Sequence, residues 1–382
     1  MKKLILIISL CLLLSGCYDY RELNELAIVN AISIDIEDNQ YSVSAQVVNP
    51  TKEQDISSMK ENSFIIYNAK GKTLQEAFRN VINDSPAKLY GAHMELLIIS
   101  ESVAKNDLVN ILDFLSRDPE IRNEINIFIA KDSEAANELM IKTSLIDIPS
   151  SKIITNMETN LKYLGTTQDI SLNYIIDAYL NPYKELTIPT IEIIYDDKKI
   201  ENQETLTLDN IAIFKNNKLI DFVDKDITLG INFILDNIGG TVIQYKCDSS
   251  NYLVSEILKS STKIEADVKN NKVIINLTGH SSISEVNCDI NIRNNDIVDE
   301  IRKNINKKIE EIVKNSFYTI RDTYNTDIFN FQDLYYKSDY NYFNKFYKDN
   351  WYSEIFPNLD IEVNANYKLY EKGTTLGGIK NE

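Results

Sequence analysis

The first seventeen residues constrain this chain most, because they decide in which compartment the rest of it folds. Lys2-Lys3 precedes an apolar run from Leu4 to Leu14, and Leu14-Ser15-Gly16-Cys17 follows directly. A run of eleven residues is typical of a signal peptide, and it is well short of the ~20 that a membrane-spanning helix needs. Small residues immediately before a cysteine are the pattern of a bacterial lipoprotein signal. We therefore predict that residues 1–16 are removed and that Cys17 is lipidated.

The alternative for this segment is an ordinary secretory signal in which Cys17 is incidental. The lipoprotein interpretation is favoured because leucine, serine, glycine and cysteine stand in the order that lipoprotein processing requires. Everything after Cys17 then works outside the cytoplasm and is held at a membrane face. Stable anchoring of this kind needs two or more acyl chains, since a single chain binds a bilayer only marginally.

Charge and composition exclude several classes of protein. The chain has a formal net charge of −17, which argues against binding to nucleic acid and against broad adsorption to anionic lipid. A hydrophobic content of 43% and a charged content of 25% describe an ordinary globular protein. The length allows two or three domains with cores of their own.

The cysteines and histidines are few. If Cys11 leaves with the signal and Cys17 is acylated, only Cys247 and Cys288 remain. In an exported protein this pair forms either a disulfide or two buried free thiols, and the spacing does not decide between them. The only histidines are His93 and His280, and no metal-ligand spacing exists. We therefore predict no metal and no cofactor.

The first half of the chain alternates strands and helices. Residues 27–35 and 41–48 are predicted as strands joined by a turn at Asp38-Asn39. Thr73-Leu74-Gln75-Glu76 is a capping box that starts a helix. Leu96–Ser100 is continuously apolar, which indicates a strand buried on both faces.

The second half has a different pattern. Asn216-Asn217 indicates a tight hairpin, and Gly239-Gly240 is expected to end a helix with a left-handed glycine. An amphipathic helix is predicted from about Asn295 to Asp322, followed by a strand from Leu359 to Leu369 that alternates apolar and polar residues. We therefore expect a multidomain α/β protein (mixed α+β), with mixed β-sheets packed with helices and a long C-terminal helix lying on a sheet.

Domain boundaries follow from the proline-containing linker at residues 181–189. After the signal peptide, residues 1–16, we predict an N-terminal α/β domain at residues 17–190. The C-terminal α+β region then covers residues 191–382. It is either one unit or two subdomains, at about 191–260 and 261–376.

Catalytic motifs fail on their spacing. Gly71-Lys72-Thr73 lacks the earlier glycine of a phosphate-binding loop, because Ile66 stands five residues before Gly71. His280-Ser281 lacks the Gly-x-Ser-x-Gly elbow that a serine nucleophile needs. With 57 acidic residues, paired carboxylates carry no positional information. We predict that the protein is not an enzyme.

Several segments resemble the Ger(x)C family, the C-subunit lipoproteins of spore germinant receptors. Tyr18 stands where the family usually has tryptophan, which keeps an aromatic residue after the cysteine. The segments that carry the resemblance occur in the family's order: residues 18–35, 71–79, 90–95, 112–118, 327–329 and 356–360, together with Trp351 and Gly373.

The resemblance implies a non-catalytic receptor subunit on the outer face of the spore inner membrane. Its partners would be two membrane-embedded receptor subunits, together with the lipid bilayer through acylated Cys17. Its work would be receptor assembly or signal coupling. Two other functions remain open: an extracytoplasmic solute-binding lipoprotein, which requires two lobes around a cleft, and a surface hydrolase.

A partner-contact surface is predicted at the loop that precedes the strand Leu96–Ser100. Tyr90 offers a rigid contact, Gly91 permits a close approach or a positive φ, and His93 donates or accepts a hydrogen bond. The structural alternative is that Gly91 only permits a turn and His93 is a strand-edge residue. The aromatic stretch from Phe329 to Tyr352 likewise packs in the core or faces a ligand or partner.

Overall fold

The computed structural model describes residues 26–48, 63–85, 87–119, 121–141, 148–195, 204–292 and 294–371. Within these ranges the strands form two sheets, one of ten strands and one of four. Both are packed with helices, and the longest helix lies on the second sheet. The predicted mixed α/β class with a long C-terminal helix on a sheet is therefore confirmed.

The first sheet has the strand order β10-β9-β7-β6-β5-β1-β2-β3, with β4 beside β1 and β8 beside β7. Strands β1, β5, β6 and β7 run parallel, and the hairpin partners at either side run antiparallel. The strands are β1 (Leu26–Glu37), β2 (Gln40–Val48), β3 (Phe64–Gly71), β4 (Lys88–Tyr90), β5 (Leu96–Ser100), β6 (Asn126–Ala130), β7 (Thr187–Tyr195), β8 (Glu204–Thr207), β9 (Ile211–Lys215) and β10 (Lys218–Val223).

Asparagine and aspartate make the tight turns of this sheet. Asp38 and Asn39 join β1 to β2 with φ of 51° and 60°. Asn216 and Asn217 join β9 to β10 with φ of 51° and 61°. These residue types tolerate the left-handed region that a two-residue hairpin requires. Both predicted hairpin turns are confirmed.

Helices cover both faces of the first sheet. Alternate residues of β5 belong to different cores, with Leu97 and Ile99 on one face and Leu96 and Ile98 on the other. A strand buried on both faces must be apolar throughout, as the sequence of β5 is. The helices are α1 (Leu74–Asn80), α2 (Glu101–Asn106), α3 (Leu108–Arg117) and α6 (Leu172–Leu180) on one face, and α4 (Ala135–Glu138) and α5 (Pro149–Tyr163) on the other.

Side-chain caps fix two of these helices. Thr73 Oγ1 accepts a 3.1 Å hydrogen bond from the Glu76 amide, and Glu76 in turn accepts one from the Lys72 amide. The predicted cap at Thr73 is therefore confirmed. Asp35, at the end of β1, accepts hydrogen bonds from the amides of Ala135 and Ala136 at the start of α4. Burial raises the pKa of Asp35 to about 6.

The second sheet has the order β11-β12-β13-β14. Strand β14 runs parallel to β13, and the other pairs are antiparallel. The buried side chains of this sheet alternate with exposed ones and face a layer of helices. Its elements are α7 (Lys225–Ile234), β11 (Thr241–Lys246), β12 (Tyr252–Asp267), β13 (Lys272–Val286), α8 (Asn295–Thr319), α9 (Phe331–Ser338), α10 (Tyr340–Phe346) and β14 (Asp360–Glu371).

The expected left-handed glycine after α7 is wrong. The residue with positive φ there is Asp236, at 60°, and neither Gly239 nor Gly240 has a positive φ. These glycines instead allow the backbone of α5 to come close. A Cβ at Gly239 would lie 2.8 Å from the carbonyl oxygen of Leu161, and one at Gly240 would clash with that of Lys162.

The two sheets share one hydrophobic core. Ile211, Ile213 and Val223 belong to the first sheet, yet they pack in the cluster that underlies the second. The first sheet therefore extends to Val223, and sheet membership changes between Val223 and Thr241. The domain boundary near residue 190 and the division near residue 260 stay predictions.

The aromatic stretch packs mainly inward. Tyr335 and Trp351 lie 5.2 Å apart between ring centroids, and both are buried. Core packing, one of the two alternatives for this stretch, therefore accounts for most of it, although Tyr340 and Phe346 remain exposed. Cys247 and Cys288 form a disulfide with a Cα–Cα distance of 6.3 Å, within the usual range for such bonds.

Candidate functional site

Cys17 lies outside the described residues, so its lipidation stays a prediction. The described chain begins with β1 at Leu26, nine residues after Cys17. In the part of the chain that the structure describes, no helix has both the length and the apolar character to cross a membrane.

The predicted partner-contact loop leaves the sheet beside the start of β1. Tyr90 ends β4 and pairs with Ile28, whereas β5 resumes pairing at Leu96, opposite Ala31. Residues 91–95 therefore lie opposite only two residues of β1, which leaves a turn between the two strands. The turn is closed by a 3.0 Å hydrogen bond from the Met94 amide to the Gly91 carbonyl, with Met94 buried and the Glu95 amide bonded to the Asn30 carbonyl.

The structure brings Tyr90 and His93 together. Their rings lie 6.0 Å apart in an edge-on arrangement, with Tyr90 half-buried and His93 exposed. Gly91 is half-buried, and it does not have a positive φ; among the described glycines that conformation is found at Gly165. The loop therefore presents one aromatic ring and one imidazole side by side.

A groove of about 430 Å³ lies next to this loop and includes Lys88 and Leu89 in its wall. Phe78 and Phe114 form part of its lining, with ring centroids 5.1 Å apart. Arg117 stands at its margin and makes two hydrogen bonds to the Asp113 carboxylate, of 2.7 and 2.8 Å. The groove and the loop therefore lie next to each other, at the end of the sheet where β1 begins.

A buried polar network joins the two sheets. Gln168 Nε2 donates a 2.9 Å hydrogen bond to Asn232 of α7, and Thr187 of β7 donates to Gln168 Oε1 at 2.7 Å. Asn232 Nδ2 also donates to the carbonyls of Gly165 and Thr167, at 2.8 Å each. The side chains of Gln168 and Asn232 are fully buried, so these hydrogen bonds replace water that neither residue can reach.

A second polar network contains two buried acids. Asp327 accepts hydrogen bonds from the amides of Phe331 and Gln332, yet burial raises its pKa to about 8. Glu185 accepts hydrogen bonds from the Asn216 amide and the Tyr352 hydroxyl, and burial also raises its pKa. Desolvation is the largest cause of the raised pKa in both acids.

The same region fastens the β9–β10 hairpin to the segment after α8. Lys215 Nζ donates a 2.7 Å hydrogen bond to the Asn325 carbonyl, and Thr326 Oγ1 donates a 2.9 Å bond to the Phe214 carbonyl. Hydrogen bonds therefore connect elements that belong to the two sheets at both networks.

The two residues considered as a candidate nucleophile and base, Ser281 and His280, do not face each other. His280 and Ser281 are consecutive residues of β13, so their side chains point to opposite faces. The His280 ring lies 4.9 Å from Tyr370, and its Nδ1 has no hydrogen-bond partner among the described residues. Within the described ranges, no group of three or more histidine, cysteine or acidic side chains is placed to hold a metal ion.

Sequence reasoning missed the two networks between the sheets. Gln168, Asn232 and Glu185 do not lie in any sequence motif. Gln168 and Asn232, which bond to each other, are 64 residues apart in the chain. Asp327 is an exception, because it lies in a segment on which the family resemblance rests.

Comparison with known proteins extends the resemblance over most of the chain. Residues 19–193 match the family model of the spore germination protein N-terminal domain. Residues 209–373 match the family model described as spore germination B3/GerAC like, C-terminal.

Individual relatives agree with these matches. Spore germination protein KC of Bacillus subtilis is 26% identical over 80% of this chain and 79% of its own length. Spore germination protein B3 of the same organism is 26% identical over 70% of each chain. The crystal structure of the GerBC protein, 20% identical, matches 92% of this chain and 99% of its own with a TM-score of 0.53, which shows a shared fold. The chain therefore belongs to the Ger(x)C family of spore germination proteins.

Proposed function

We propose that this protein is a lipid-anchored, non-catalytic subunit of a spore germinant receptor. Cys17 holds it at the outer face of the spore inner membrane. It contacts two membrane-embedded subunits and contributes to receptor assembly or signal coupling through protein–protein contacts. Family membership supports the link to germination. The anchor, the partners and the role are parts of the proposal.

The observation that carries the proposal is the place of the Tyr90–His93 loop relative to the start of the described chain. Tyr90 pairs with Ile28, two residues after the start of β1. Leu26 is the ninth residue after Cys17, and an extended chain of that length spans at most about 30 Å. A lipid on Cys17 would therefore keep this loop near the bilayer, within reach of membrane-embedded partners.

The packing between the sheets favours this function over capture of a germinant in a two-lobed cleft. A solute-binding protein places its ligand between lobes that present convergent polar groups. Here the polar groups at the junction of the two sheets are buried and hydrogen-bonded within the protein. Gln168 bonds to Asn232, and Asp327 accepts a hydrogen bond from the Gln332 amide. The grooves with volumes of about 430 and 740 Å³ are each lined by the helices and strands of one sheet.

The test is a double substitution, Tyr90→Ala with His93→Ala, in the full chain. If the loop contacts a receptor partner, germination should slow several-fold while the melting temperature changes by no more than about 2 °C. Tyr195→Ala is the matched control, because Tyr195 is 66% exposed at the far end of β7. A large fall in melting temperature, or germination equal to that of the control, would leave the loop with a structural role only.

A further inference from the structure

The two edge strands of the second sheet, β14 and β11, differ in whether their outward backbone groups are hydrogen-bonded. At β14, the amide of Ala365 donates a 3.0 Å hydrogen bond to Glu310 Oε1, and the amide of Tyr367 donates one of 3.0 Å to Asn306 Oδ1. Both acceptors are side chains of α8. Open strand edges readily pair with another chain, and proteins usually block them. The helix blocks the β14 edge in this way.

The β11 edge is not blocked. The Cys247 amide donates to the Asn251 carbonyl directly opposite, and the β11–β12 register then continues without a bulge. In an antiparallel pair, bonded and non-bonded positions alternate. The backbone N–H and C=O groups of Thr241, Ile243 and Tyr245 therefore point toward β12. Those of the alternate residues point outward, away from the sheet: Val242, Gln244 and Lys246.

These outward backbone groups have no hydrogen-bond partners in the part of the chain that the structure describes. None of the three N–H groups and three C=O groups has a hydrogen-bond partner among the described residues. Val242 is 49% exposed, and the strand contains no proline and no bulge. The edge is therefore a straight row of free donors and acceptors with an apolar side chain beside it.

A groove of about 740 Å³ runs along this edge, and we call it the edge groove. Helices α7 and α8 form the wall opposite β11. The edge groove is lined by Asp226 and Leu229 of α7, Lys308, Glu311, Ile312 and Asn315 of α8, residues 242–246 of β11, and Tyr252. An edge strand that faces a helix across a groove is the geometry in which an extended peptide adds to a sheet.

The edge groove contains an ion pair, of Lys308 with Glu311 at 3.9 Å, whereas Lys246 has no ion-pair partner among the described residues. Tyr245 hydrogen-bonds to Asn304 of α8, so Lys246 and Lys308 lie toward that part of the helix. Gly230 of α7 packs against Ser316, so Asp226 lies toward the other end. An occupant that complements this pattern has an acidic side chain near Lys246. Its apolar side chains would lie against Val242, Leu229 and Ile312.

We propose that the edge groove binds an extended segment of a partner polypeptide, which adds to β11 as a fifth strand of the second sheet. The segment's backbone bonds to the outward groups of Val242, Gln244 and Lys246, and an acidic side chain pairs with Lys246. This names a contact surface for the protein contacts proposed above and rests on that function.

The test uses the full chain in spore membranes, with the photo-crosslinking residue benzoylphenylalanine in place of Tyr252. Tyr252 lines the edge groove and is 36% exposed, so an aromatic replacement is tolerated. The same replacement of Tyr370, 71% exposed on β14, is the matched control. The expected result is a crosslink from position 252, but not from position 370, to one short segment of another polypeptide, identified by mass spectrometry.

Two further variants test strand addition itself. Gln244→Pro removes the central outward N–H, and proline is tolerated at such an edge position. It should lower the crosslink yield from position 252 at least tenfold, whereas Gln244→Ala should not. If Gln244→Pro lowers the melting temperature, the pair Lys246→Glu with Lys308→Glu decides instead, with Lys263→Glu and Lys307→Glu as the charge-matched control.

The proposal is overturned if position 252 gives no crosslink, or if the yield is unchanged in the deciding variant. It is also overturned if the crosslinked segment belongs to a second copy of this chain or to residues 372–382 of the same chain. Failure of the proposed function is a separate observation. In that case the chain is not retained with the membrane-embedded subunits, whichever variant is used.

Discussion

Gln168 and Asn232 form a direct side-chain hydrogen bond of 2.9 Å at a position where both are fully buried between the two sheets. Asn232 Nδ2 also donates to the carbonyls of Gly165 and Thr167 in the segment before Gln168, and Gln168 Oε1 accepts a hydrogen bond from Thr187. A buried network of this kind is stabilising only while every member keeps its partners.

The first prediction concerns this pair. Asn232→Ala should lower the free energy of unfolding by about 2–4 kcal/mol, because it strands Gln168 Nε2 and the carbonyls of Gly165 and Thr167 without partners. Urea unfolding measures the change. Asn173→Ala, on the exposed side of α6, is the control and should shift stability by no more than about 0.5 kcal/mol. Equal effects for the two variants would contradict this role of Asn232.

The second prediction concerns the pH dependence of stability. Burial raises the pKa of Asp327 from 3.8 to about 8, so between these values the folded protein holds a proton that the unfolded chain has lost. The stabilisation from this group is complete below about pH 4 and declines as pH rises toward 8, by at most about 1.4 kcal/mol per pH unit.

Asp327→Asn should remove this contribution and make the fall of unfolding free energy between pH 5 and pH 8 less steep. The other buried acids, Asp35, Glu138 and Glu185, act in the same direction in both proteins. The difference between the two pH profiles therefore reports Asp327 together with its electrostatic coupling to Glu185. Parallel profiles would mean that Asp327 is ionised in the folded protein.

The third prediction concerns the disulfide between Cys247 and Cys288, which are separated by 41 residues. Closing a loop of this size restricts the unfolded chain, and its loss typically costs about 2–4 kcal/mol. The double variant Cys247→Ser with Cys288→Ser should be destabilised by that amount in urea. A reducing agent should lower the stability of the wild-type protein to a similar level and leave the double variant unchanged. Insensitivity of the wild type to reduction would be the contrary result.

The fourth prediction concerns the anchor. Cys17→Ala should abolish acyl labelling and release the protein from the membrane, or block signal processing, because Cys17 alone stands in the lipoprotein motif. Labelling with a radioactive or clickable fatty acid, followed by membrane fractionation, measures this. Cys11→Ala, inside the apolar run, is the matched control and should be labelled normally. Normal labelling of the Cys17 variant would refute the lipoprotein assignment.

Local patterns predicted the elements whose causes are local. The Glu76 amide donates to Thr73 Oγ1, and the Glu76 carboxylate accepts from the Lys72 amide. These bonds join residues at most four apart in the chain, so the start of α1 could be identified directly. The alternation from Leu359 to Leu369 predicted β14, since Ile361, Val363 and Tyr367 all face the core. The first signal is a local hydrogen-bonding motif, and the second repeats at the two-residue period of a strand.

The remaining features depend on residues far apart in the chain. Gly239 and Gly240 suggested a helix end, but their role is to approach the carbonyls of Leu161 and Lys162, almost eighty residues earlier. The pairing of β9 with β7 is equally non-local, and no pattern near Ile211 indicates to which sheet that strand belongs. The sequence placed the candidate loop before the strand Leu96–Ser100, and its role as a partner surface stays a prediction, whereas β4 and the contact between Tyr90 and His93 required the structure.

The position of β1 has a mechanical consequence. It is the first described strand, and it lies inside the sheet with β2 on one side and β4 and β5 on the other. A pull on the residues before Leu26 acts along the axis of β1, so it loads the hydrogen bonds of both neighbours in shear. Many bonds must then break together, whereas a strand pulled away from a sheet edge would lose them one at a time. The fold is thereby built to bear tension at its amino terminus without unravelling.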